Sequence, residues 1–226
     1  ENAVNTRLMS IEFSNLAPVV DLVPAAILTV NGTNANNAIN YGPGSVAANG
    51  LVSVDGFETI EFSNKTSLVL NGLAGDDKFN LNNPNIPTAL AGITVNGGDP
   101  TASDTLIVNG RPGVALDNLR LLPTALGAGV VSNPTVEQDV RFNGIEHIDV
   151  VLPADHEDSF AIDGTAGADL FTLTSGPEVG RLHVEGTMAD GAVGGPFALP
   201  SIDVFNLVTT TTGVFNAIAG GEGDRI

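Results

Sequence analysis

Three pairs of aspartates lie in glycine-rich stretches where their carboxylates could bind a metal ion. They are Asp76 with Asp77, Asp99 with Asp104, and Asp163 with Asp169. Calcium takes six to eight oxygen ligands, and a glycine-rich turn lets carboxylates and backbone carbonyls converge on one point. The sequence therefore predicts calcium as a cofactor, bound at one or more of these loops.

The same residue types also suit a structural role in turns. Aspartate and asparagine side chains hydrogen-bond to nearby backbone groups, and glycine adopts positive φ without steric cost. The loops are degenerate copies spread along the chain, which favours turn capping over a metal site. Both interpretations stay open at the level of sequence.

Another acidic cluster, Asp155-His-Glu-Asp158, contains one of the three histidines. A histidine flanked by carboxylates could hold a metal ion. Because the cluster follows Pro153, a solvated loop is the expected structure. His147 and His183 lie in strand patterns, where we expect surface or hydrogen-bonded histidines rather than ligands.

Motifs that would indicate catalysis are absent from the sequence. It has no Gly-x-Ser-x-Gly, no Gly-Lys-Ser/Thr phosphate loop, no His-Glu-x-x-His and no cysteine. Tryptophan is absent and Tyr41 is the only tyrosine, so aromatic platforms for sugar rings are few. We expect that the protein is not an enzyme.

Several loops follow one pattern of glycines, an aspartate and a final apolar residue. The best copies are Gly72-Leu-Ala-Gly-Asp-Asp-Lys-Phe79 and Gly164-Thr-Ala-Gly-Ala-Asp-Leu-Phe171. Incomplete copies run from Gly32 to Ile39 and from Gly220 to Ile226. The pattern resembles the haemolysin-type (RTX) calcium-binding repeat, G-G-x-G-x-D-x-U-x.

This resemblance implies a calcium-binding module like those of large secreted or surface proteins of bacteria. Leu73 and Thr165 stand where the repeat has its second glycine, and Asn37 stands where it has the ligand aspartate. RTX repeats also follow one another directly, whereas these loops are tens of residues apart. A tight calcium roll with two strands per turn is therefore not supported.

Short apolar runs with a period of two indicate strands throughout the chain. The clearest runs are Ile27–Val30, Ser67–Leu70, Ile93–Val95, Thr105–Val108, Phe160–Ile162 and Leu170–Leu173. The best helix candidate is Val114–Leu126, but Pro123 interrupts it. We expect at most one short helix there.

A recurring small–Ile–acid element divides the chain into modules that start near residues 11, 60, 145 and 202. The first two copies extend to the identical pentapeptides Ile11–Asn15 and Ile60–Asn64. The longest interval carries an insert at about residues 111–143. We interpret residues 1–226 as a single repetitive β domain.

A module of this kind cannot bury both faces of its strands, so neighbouring modules must stack. We therefore predict an all-β fold, a β-solenoid (β-helix) of about 25 residues per coil. The alternative is an antiparallel β-sandwich, because Asn-Gly between alternating runs is also a hairpin signal.

The composition excludes several classes of partner. The 226 residues include 26 acidic and 8 basic side chains, which gives a formal net charge of −18. Phosphates would repel such a chain, so nucleic acid is not an expected partner. No run of 18 apolar residues is present, so no transmembrane segment is predicted.

The two ends of the sequence resemble complementary parts of one module. The last residues stop inside a glycine-aspartate loop, and the first residues resemble the strand that follows such a loop. We therefore expect head-to-tail contact with further copies of the chain, as a homopolymer, or with neighbouring repeats of one longer chain. The expected assembly residues are Glu1, Asn2, Ala3, Val4, Gly220, Gly221, Gly223, Asp224 and Ile226.

These features together suggest a structural extracellular protein. We expect a unit of a bacterial surface fibre, surface layer or adhesin stalk that forms a filament by completing β-sheet edges. A calcium-dependent adhesin or glycan-binding module is the alternative. A β-helical polysaccharide-active enzyme is a further hypothesis, with its carboxylates at Asp155–Asp158.

Overall fold

The computed structural model describes residues 18–99, 103–113, 117–132, 138–153, 158–177, 180–189, 195–206 and 215–218. Within the described residues the fold is all-β, with 58% strand and no helix. The predicted all-β class is therefore confirmed. In the described part of the chain, no helix is long and apolar enough to span a membrane.

Nineteen strands lie in the described ranges. They are β1 Val19–Asp21, β2 Ala25–Asn31, β3 Ala38–Pro43, β4 Gly50–Val54, β5 Ile60–Phe62, β6 Lys65–Leu73, β7 Lys78–Leu81, β8 Gly92–Gly98, β9 Thr105–Asn109, β10 Asn118–Ala125, β11 Ala128–Ser132, β12 Asp139–Asn143, β13 His147–Val151, β14 Ser159–Asp163, β15 Leu170–Ser175, β16 Leu182–Met188, β17 Phe197–Ala198, β18 Ser201–Phe205 and β19 Phe215–Ile218.

The strands form two mixed sheets. Sheet 1 has the order β1-β5-β4-β3-β7-β9-β13-β18-β16-β15, with β17 paired to β16, and sheet 2 has the order β19-β14-β10-β11-β12-β8-β6-β2. In sheet 1 the run from β3 to β18 through β7, β9 and β13 is parallel. In sheet 2 the runs β2-β6-β8-β12 and β10-β14-β19 are parallel. These parallel runs differ from the pairing of an antiparallel sandwich.

Alternation along each strand places apolar side chains between the two sheets. In β8, Ile93 and Val95 are buried, whereas Thr94 between them is partly exposed. Phe79 of β7 and Leu106 of β9 are fully buried in the same core. The six apolar runs with a period of two all lie in strands, namely β2, β6, β8, β9, β14 and β15, so those predictions are confirmed.

The best helix candidate, Val114–Leu126, contains β10 and no helix in its described residues. Leu119 and Leu121 are buried, whereas Arg120 between them is partly exposed, so the period is two rather than 3.6. The register of β10 shifts between Pro123 and Ala125. A proline lacks the N–H that a regular ladder needs, which fits its position at this irregularity.

The predicted insert contributes three strands to the core. β10, β11 and β12 pair antiparallel in sequence order. β12 is also parallel to β8, and β10 is parallel to β14. The three strands therefore occupy three consecutive positions of sheet 2.

Candidate functional site

Three of the turns that carry the chain from sheet 2 to sheet 1 contain several of the predicted site residues. They follow Gly32, Gly72 and Gly97, and end at Asn37, Asp77 and Asp104. We call them the Gly–Asp turns. Asn37, Asp77 and Asp104 are 5%, 0% and 0% exposed, so each turn ends in a buried polar side chain.

The Gly–Asp turns are joined by a ladder of hydrogen bonds from backbone to side chain. The N–H of Asn37 donates to Oδ1 of Asp77 at 2.7 Å, and the N–H of Asp77 donates to Oδ1 of Asp104 at 2.7 Å. The N–H of Asp104 in turn donates to Oε2 of Glu146 at 2.9 Å. Each acidic side chain therefore satisfies a backbone donor of the turn stacked beside it, which buried backbone groups require.

Hydrogen bonds between backbone groups join the same turns in the direction opposite to that of the ladder. The N–H of Lys78 donates to the carbonyl oxygen of Asn37 at 2.8 Å, and that of Thr105 donates to the carbonyl oxygen of Asp77 at 2.8 Å. Each pair of adjacent turns is thus held by reciprocal bonds. The aspartates are part of the packing of the fold and not only of their own loops.

The leading glycines are needed because the aspartates fill the space beside them. A Cβ on Gly72 would overlap the carboxylate of Asp77, and a Cβ on Gly97 would overlap both the carboxylate of Asp104 and the carbonyl oxygen of Gly144. Glycine and aspartate therefore form a steric pair in each turn. This pairing explains the recurrence of both residue types without a ligand.

Two carboxylates of the ladder have an unusual environment. Oδ2 of Asp77 and Oδ2 of Asp104 are buried and have no hydrogen-bond partner in the described part of the chain. Burial raises the pKa of Asp77, and it raises the pKa of Asp104 to about 6, with nearby carboxylates adding to both shifts. The ladder therefore contains oxygens that a proton or a cation would stabilise.

The other predicted calcium ligands differ from this pair in their exposure or in their partners. Asp76 is exposed, and its Oδ1 accepts the N–H of Ser103 at 3.1 Å. Asp99 is partly exposed in the loop after β8. Asp163 of β14 forms an ion pair with Arg120 at 2.5 Å.

The oxygens of Asp169 are occupied within its own loop. Oδ2 accepts the N–H of Thr165 at 2.6 Å, and Oδ1 accepts the hydroxyl of Thr165 at 2.8 Å and the N–H of Ala189 at 2.7 Å. Thr33 makes the same two bonds to Asn37. Threonine at the place of the second RTX glycine thus supplies donors that cap the loop.

Among the described residues, no group of three or more acidic or histidine side chains is placed to hold a metal ion. The geometry supports turn capping at Asp169 and ion pairing at Asp163. Calcium at the remaining loops stays a prediction.

No family model, curated protein or solved structure matches the chain. The function of the site is therefore inferred from its own geometry.

Some predicted site residues lie outside the described ranges. Asp155, His156 and Glu157 are among them, as are the terminal assembly residues 1–4, 220, 221, 223, 224 and 226. Asp158 is described and is 4% exposed. Its Oδ1 accepts the N–H of Asp117 at 2.9 Å, so a carboxylate also joins the two turns that lead into β10 and β14.

His147 and His183 both lie in strands and make hydrogen bonds. Nε2 of His147 is 3.2 Å from the hydroxyl of Ser103. Nδ1 of His183 is 2.9 Å from Oδ1 of Asp203, and its Nε2 is 3.2 Å from Oε1 of Glu185. Its two nitrogens therefore contact different carboxylates on opposite sides of the ring.

The acids of the repeated small–Ile–acid element have structural roles that the sequence did not reveal. Glu146 closes the ladder of the Gly–Asp turns. Oε1 of Glu61 accepts the side-chain amide of Asn49 at 2.7 Å and both the hydroxyl and the N–H of Ser45. Hydrogen bonds from Asn49 and Ser45 lower the pKa of Glu61. The repetition marked these positions, but only the structure shows their partners.

Lys65 is a second residue that sequence reasoning missed. Its side chain is 2% exposed, and Nζ pairs with Oδ1 of Asp21 at 3.0 Å. Nζ also donates to the carbonyl oxygens of Asp21, Val23 and Ser63 at 3.3, 2.5 and 3.2 Å. One buried ammonium thus joins β1, the connection to β2 and the start of β6.

Replacing Asp104 with asparagine is expected to stabilise the protein near neutral pH. An aspartate with an ordinary pKa of 3.8 becomes one with a pKa of about 6 on folding, so the folded state binds more protons between these values. Stability contributed by this group is therefore present below about pH 4 and is lost as pH rises through 6. Asparagine keeps an acceptor for the N–H of Asp77 and carries no charge. We expect Asp104→Asn to gain about 1–2 kcal/mol at pH 7.5 and to reduce the pH dependence between pH 4 and 7.

Urea unfolding at pH 4.5 and 7.5, in chelator and in calcium, measures this effect. Glu58→Gln is the control, because Glu58 is an exposed carboxylate between β4 and β5 and does not belong to the ladder. The control should retain the pH dependence of the unchanged protein. A loss of stability in Asp104→Asn that appears only in calcium would contradict the turn-capping role and indicate a metal site.

Proposed function

We propose that the chain is a structural protein, a β-solenoid whose stacked coils form a unit of a bacterial extracellular fibre, surface layer or adhesin stalk. One coil corresponds to a strand of sheet 2, a Gly–Asp turn and a strand of sheet 1. Successive coils stack through parallel strands in both sheets. Such stacking builds a rod from a repetitive sequence.

One observation carries this proposal. The edges of sheet 2 are β2 and β19, which are the first and last strands of that sheet in the described chain. Both strands are parallel to their neighbours. If a second copy is related to the first mainly by translation, its β19 edge would therefore lie parallel to the β2 edge of the first copy. A contact of this kind does not close on itself, so it extends into a filament.

Stacked asparagines support the solenoid arrangement. Asn71 donates its side-chain amide to Oδ1 of Asn31 at 2.7 Å, and Asn96 donates to Oδ1 of Asn71 at 2.7 Å. Residues at equivalent places in successive coils make such ladders. The step from Asn71 to Asn96 is 25 residues, the coil length expected from the sequence, whereas the step from Asn31 to Asn71 is 40 residues and contains β4 and β5.

The ends of the parallel run in sheet 1 are arranged differently. β4 pairs antiparallel with β3 at one end, and β16 pairs antiparallel with β18 at the other. Beyond these pairs the sheet ends in β1, which has only three residues, and in β15, which is antiparallel to β16. A short edge strand offers few unpaired backbone groups. The proposed assembly therefore uses the edges of sheet 2.

Sedimentation and electron microscopy of the purified chain test this function. The eight strands across sheet 2, at about 4.8 Å per strand, predict fibres with an axial repeat of roughly 40 Å. Association should increase with protein concentration. A monomer that persists from micromolar to millimolar concentration would contradict the proposal.

A calcium-dependent adhesin or glycan-binding module is the second candidate. It is favoured by the buried, unpartnered Oδ2 atoms of Asp77 and Asp104 in adjacent turns. Carboxylate and backbone carbonyl oxygens are the ligands that calcium prefers. Urea unfolding of Asp104→Asn in calcium and in chelator separates this function from the structural one.

A further inference from the structure

Several asparagines of the chain are followed directly by glycine, namely Asn31, Asn49, Asn71, Asn96, Asn109 and Asn143. In this dipeptide the backbone nitrogen of the glycine can attack the side-chain amide carbon of the asparagine, because glycine has no Cβ to hinder the approach. The attack needs a backbone N–H that is not held in a hydrogen bond and a side chain that is free to turn toward it. The fold can therefore protect some of these dipeptides and leave others reactive.

Neighbouring strands hold the backbone of five of these glycines. The N–H of Gly32 donates to the carbonyl oxygen of Asn71 at 2.7 Å, and the N–H of Gly110 donates to that of Val151 at 2.9 Å. The other three lie inside β4, β6 and β8, each of which is paired on both sides, and they are Gly50, Gly72 and Gly97. The sheet must open locally before these five nitrogens can react.

The side chains that precede these five glycines are also held in hydrogen bonds. Nδ2 of Asn49 donates to Oε1 of Glu61 at 2.7 Å, and Nδ2 of Asn109 donates to Oδ1 of Asn80 at 2.7 Å. The remaining members bond to one another across successive coils, and they are Asn31, Asn71 and Asn96. Rotation of any of these amides toward the following nitrogen would therefore cost a hydrogen bond.

Asn143 and Gly144 differ from the other pairs in both respects. Asn143 is exposed at the end of β12, and its side chain makes no hydrogen bond with any residue that the structure describes. The chain leaves the sheet at Gly144, which has a φ of 65°. No described residue accepts a hydrogen bond from the N–H of Gly144, whereas the next N–H, that of Ile145, donates to the carbonyl oxygen of Gly127 at 3.0 Å. Both reacting groups are therefore accessible to each other in this pair.

Water, the second reactant, can also reach this dipeptide. Asn143 and Gly144 line a cavity of about 390 Å³ together with Glu146, Leu126 and Leu199. Leu126 is 71% exposed and Asn143 is exposed as well, so the cavity is in contact with solvent. A ring formed between Asn143 and Gly144 can therefore be hydrolysed in place.

We propose that Asn143 is a site of spontaneous deamidation, a modification that the fold permits here and suppresses at the other five asparagines. The nitrogen of Gly144 forms a bond to Cγ of Asn143, and the bond from Cγ to Nδ2 breaks. The proton of that nitrogen leaves with Nδ2 as ammonia. Water then opens the resulting five-membered ring at one of its two carbonyl carbons, which leaves aspartate or isoaspartate at position 143. This inference does not depend on the proposed assembly.

The product changes a packed part of sheet 2. Either form adds a negative charge to the cavity that Glu146 also lines, in a chain whose formal net charge is already −18. Isoaspartate also adds a carbon atom to the main chain directly before Gly144, whose carbonyl oxygen packs against Gly97. The contact between β8 and β12 should therefore lose stability as the protein ages.

Timed incubation of the folded protein, followed by peptide mass spectrometry, tests this proposal with the other five asparagines as internal controls. Trypsin cleaves after Arg141 and Arg181, and the fragment between them contains Asn143 and none of the other five. We expect deamidation at Asn143 to be at least about tenfold faster than at any of the others, since those require local opening of the sheet. Each event raises the mass by about 1 Da. A sample digested at time zero corrects for deamidation during digestion.

The chemical form of the product tests the route. Attack by the nitrogen of Gly144 should give both aspartate and isoaspartate, whereas direct hydrolysis of the side chain gives aspartate alone. Asn143→Gln should remove most of the product from the folded protein, because glutamine would have to close a larger ring. Aspartate without isoaspartate, or an unchanged total yield in Asn143→Gln, would overturn the proposal.

Unfolding separates the effect of the fold from that of the local sequence. In guanidinium chloride all six sites should react at rates within about threefold of one another, because the strands no longer protect any of them. Equal rates at the six sites of the folded protein would overturn the inference. A preference for Asn143 that persists unchanged in denaturant would also overturn it. Hydrogen exchange in β8 and β12 should be faster in aged than in fresh protein, and unchanged exchange would refute the predicted loss of stability.

Discussion

Replacement of Gly97 with alanine should lower the free energy of unfolding by about 3 kcal/mol or more. The new Cβ would overlap the carbonyl oxygen of Gly144 and the carboxylate of Asp104. The carbonyl belongs to the backbone next to β12, which is paired with β8 and cannot shift without disturbing five register pairs. The ladder of the Gly–Asp turns would be lost at the same point.

Gly56 provides the matched control for this substitution. A Cβ on Gly56 would meet no atom within 4 Å, and its backbone does not adopt positive φ. Gly56→Ala should therefore change the free energy of unfolding by no more than about 0.5 kcal/mol. Urea titrations followed by fluorescence or circular dichroism measure both variants. Equal midpoints for the two alanine variants would show that the Gly97 turn tolerates a side chain and would contradict the steric pairing with Asp104.

Replacement of Lys65 with methionine is the second change with a large expected effect. Methionine fills a similar volume, but it leaves the carbonyl oxygens of Val23 and Ser63 without the ammonium that binds them. Buried acceptors that lose a charged donor are costly, and Asp21 also loses its ion-pair partner. We expect a loss of about 2–4 kcal/mol.

The effect of Lys65→Met should be local to one end of the molecule. Hydrogen exchange should speed up first in β1 and in the connection between β1 and β2, because Lys65 joins both to β6. Lys78→Met is the control, since Lys78 is exposed at the start of β7. If hydrogen exchange in β1 were equally fast in both variants, the conclusion that Lys65 holds β1 against β6 would have to be abandoned.

The structure also changes how the predicted metal residues are interpreted. Turn capping and calcium binding use the same residue types, so the sequence left both open. In the fold, Asp163 pairs with Arg120 and Asp169 is saturated by Thr165 and Ala189. Oδ2 of Asp77 and Oδ2 of Asp104 are buried without a hydrogen-bond partner among the described residues. Calcium stays a prediction, and these two adjacent turns are the place to test it first.

The local structure of this protein follows from short stretches of its sequence. A period of two places alternate side chains on opposite faces of a strand, and this relation involves only neighbouring residues. For that reason the runs around Ile93 and Phe160 were recognised as strands. The glycine-aspartate pattern likewise marked the turns, because both residue types favour turns through their own backbone. The segment around Pro123 is ambiguous in the sequence, because its leucine pairs fit either period until the partner strands are known.

The roles of the polar residues, by contrast, depend on contacts between distant parts of the chain. The bonds that define the ladder join Asn37 to Asp77, Asp77 to Asp104, and Asp104 to Glu146, across 40, 27 and 42 residues. Lys65 reaches carbonyls more than 40 residues away in the same manner. Such partners are set by which strands pair and in which register. That choice depends on packing of the whole core, and no short stretch of sequence contains it.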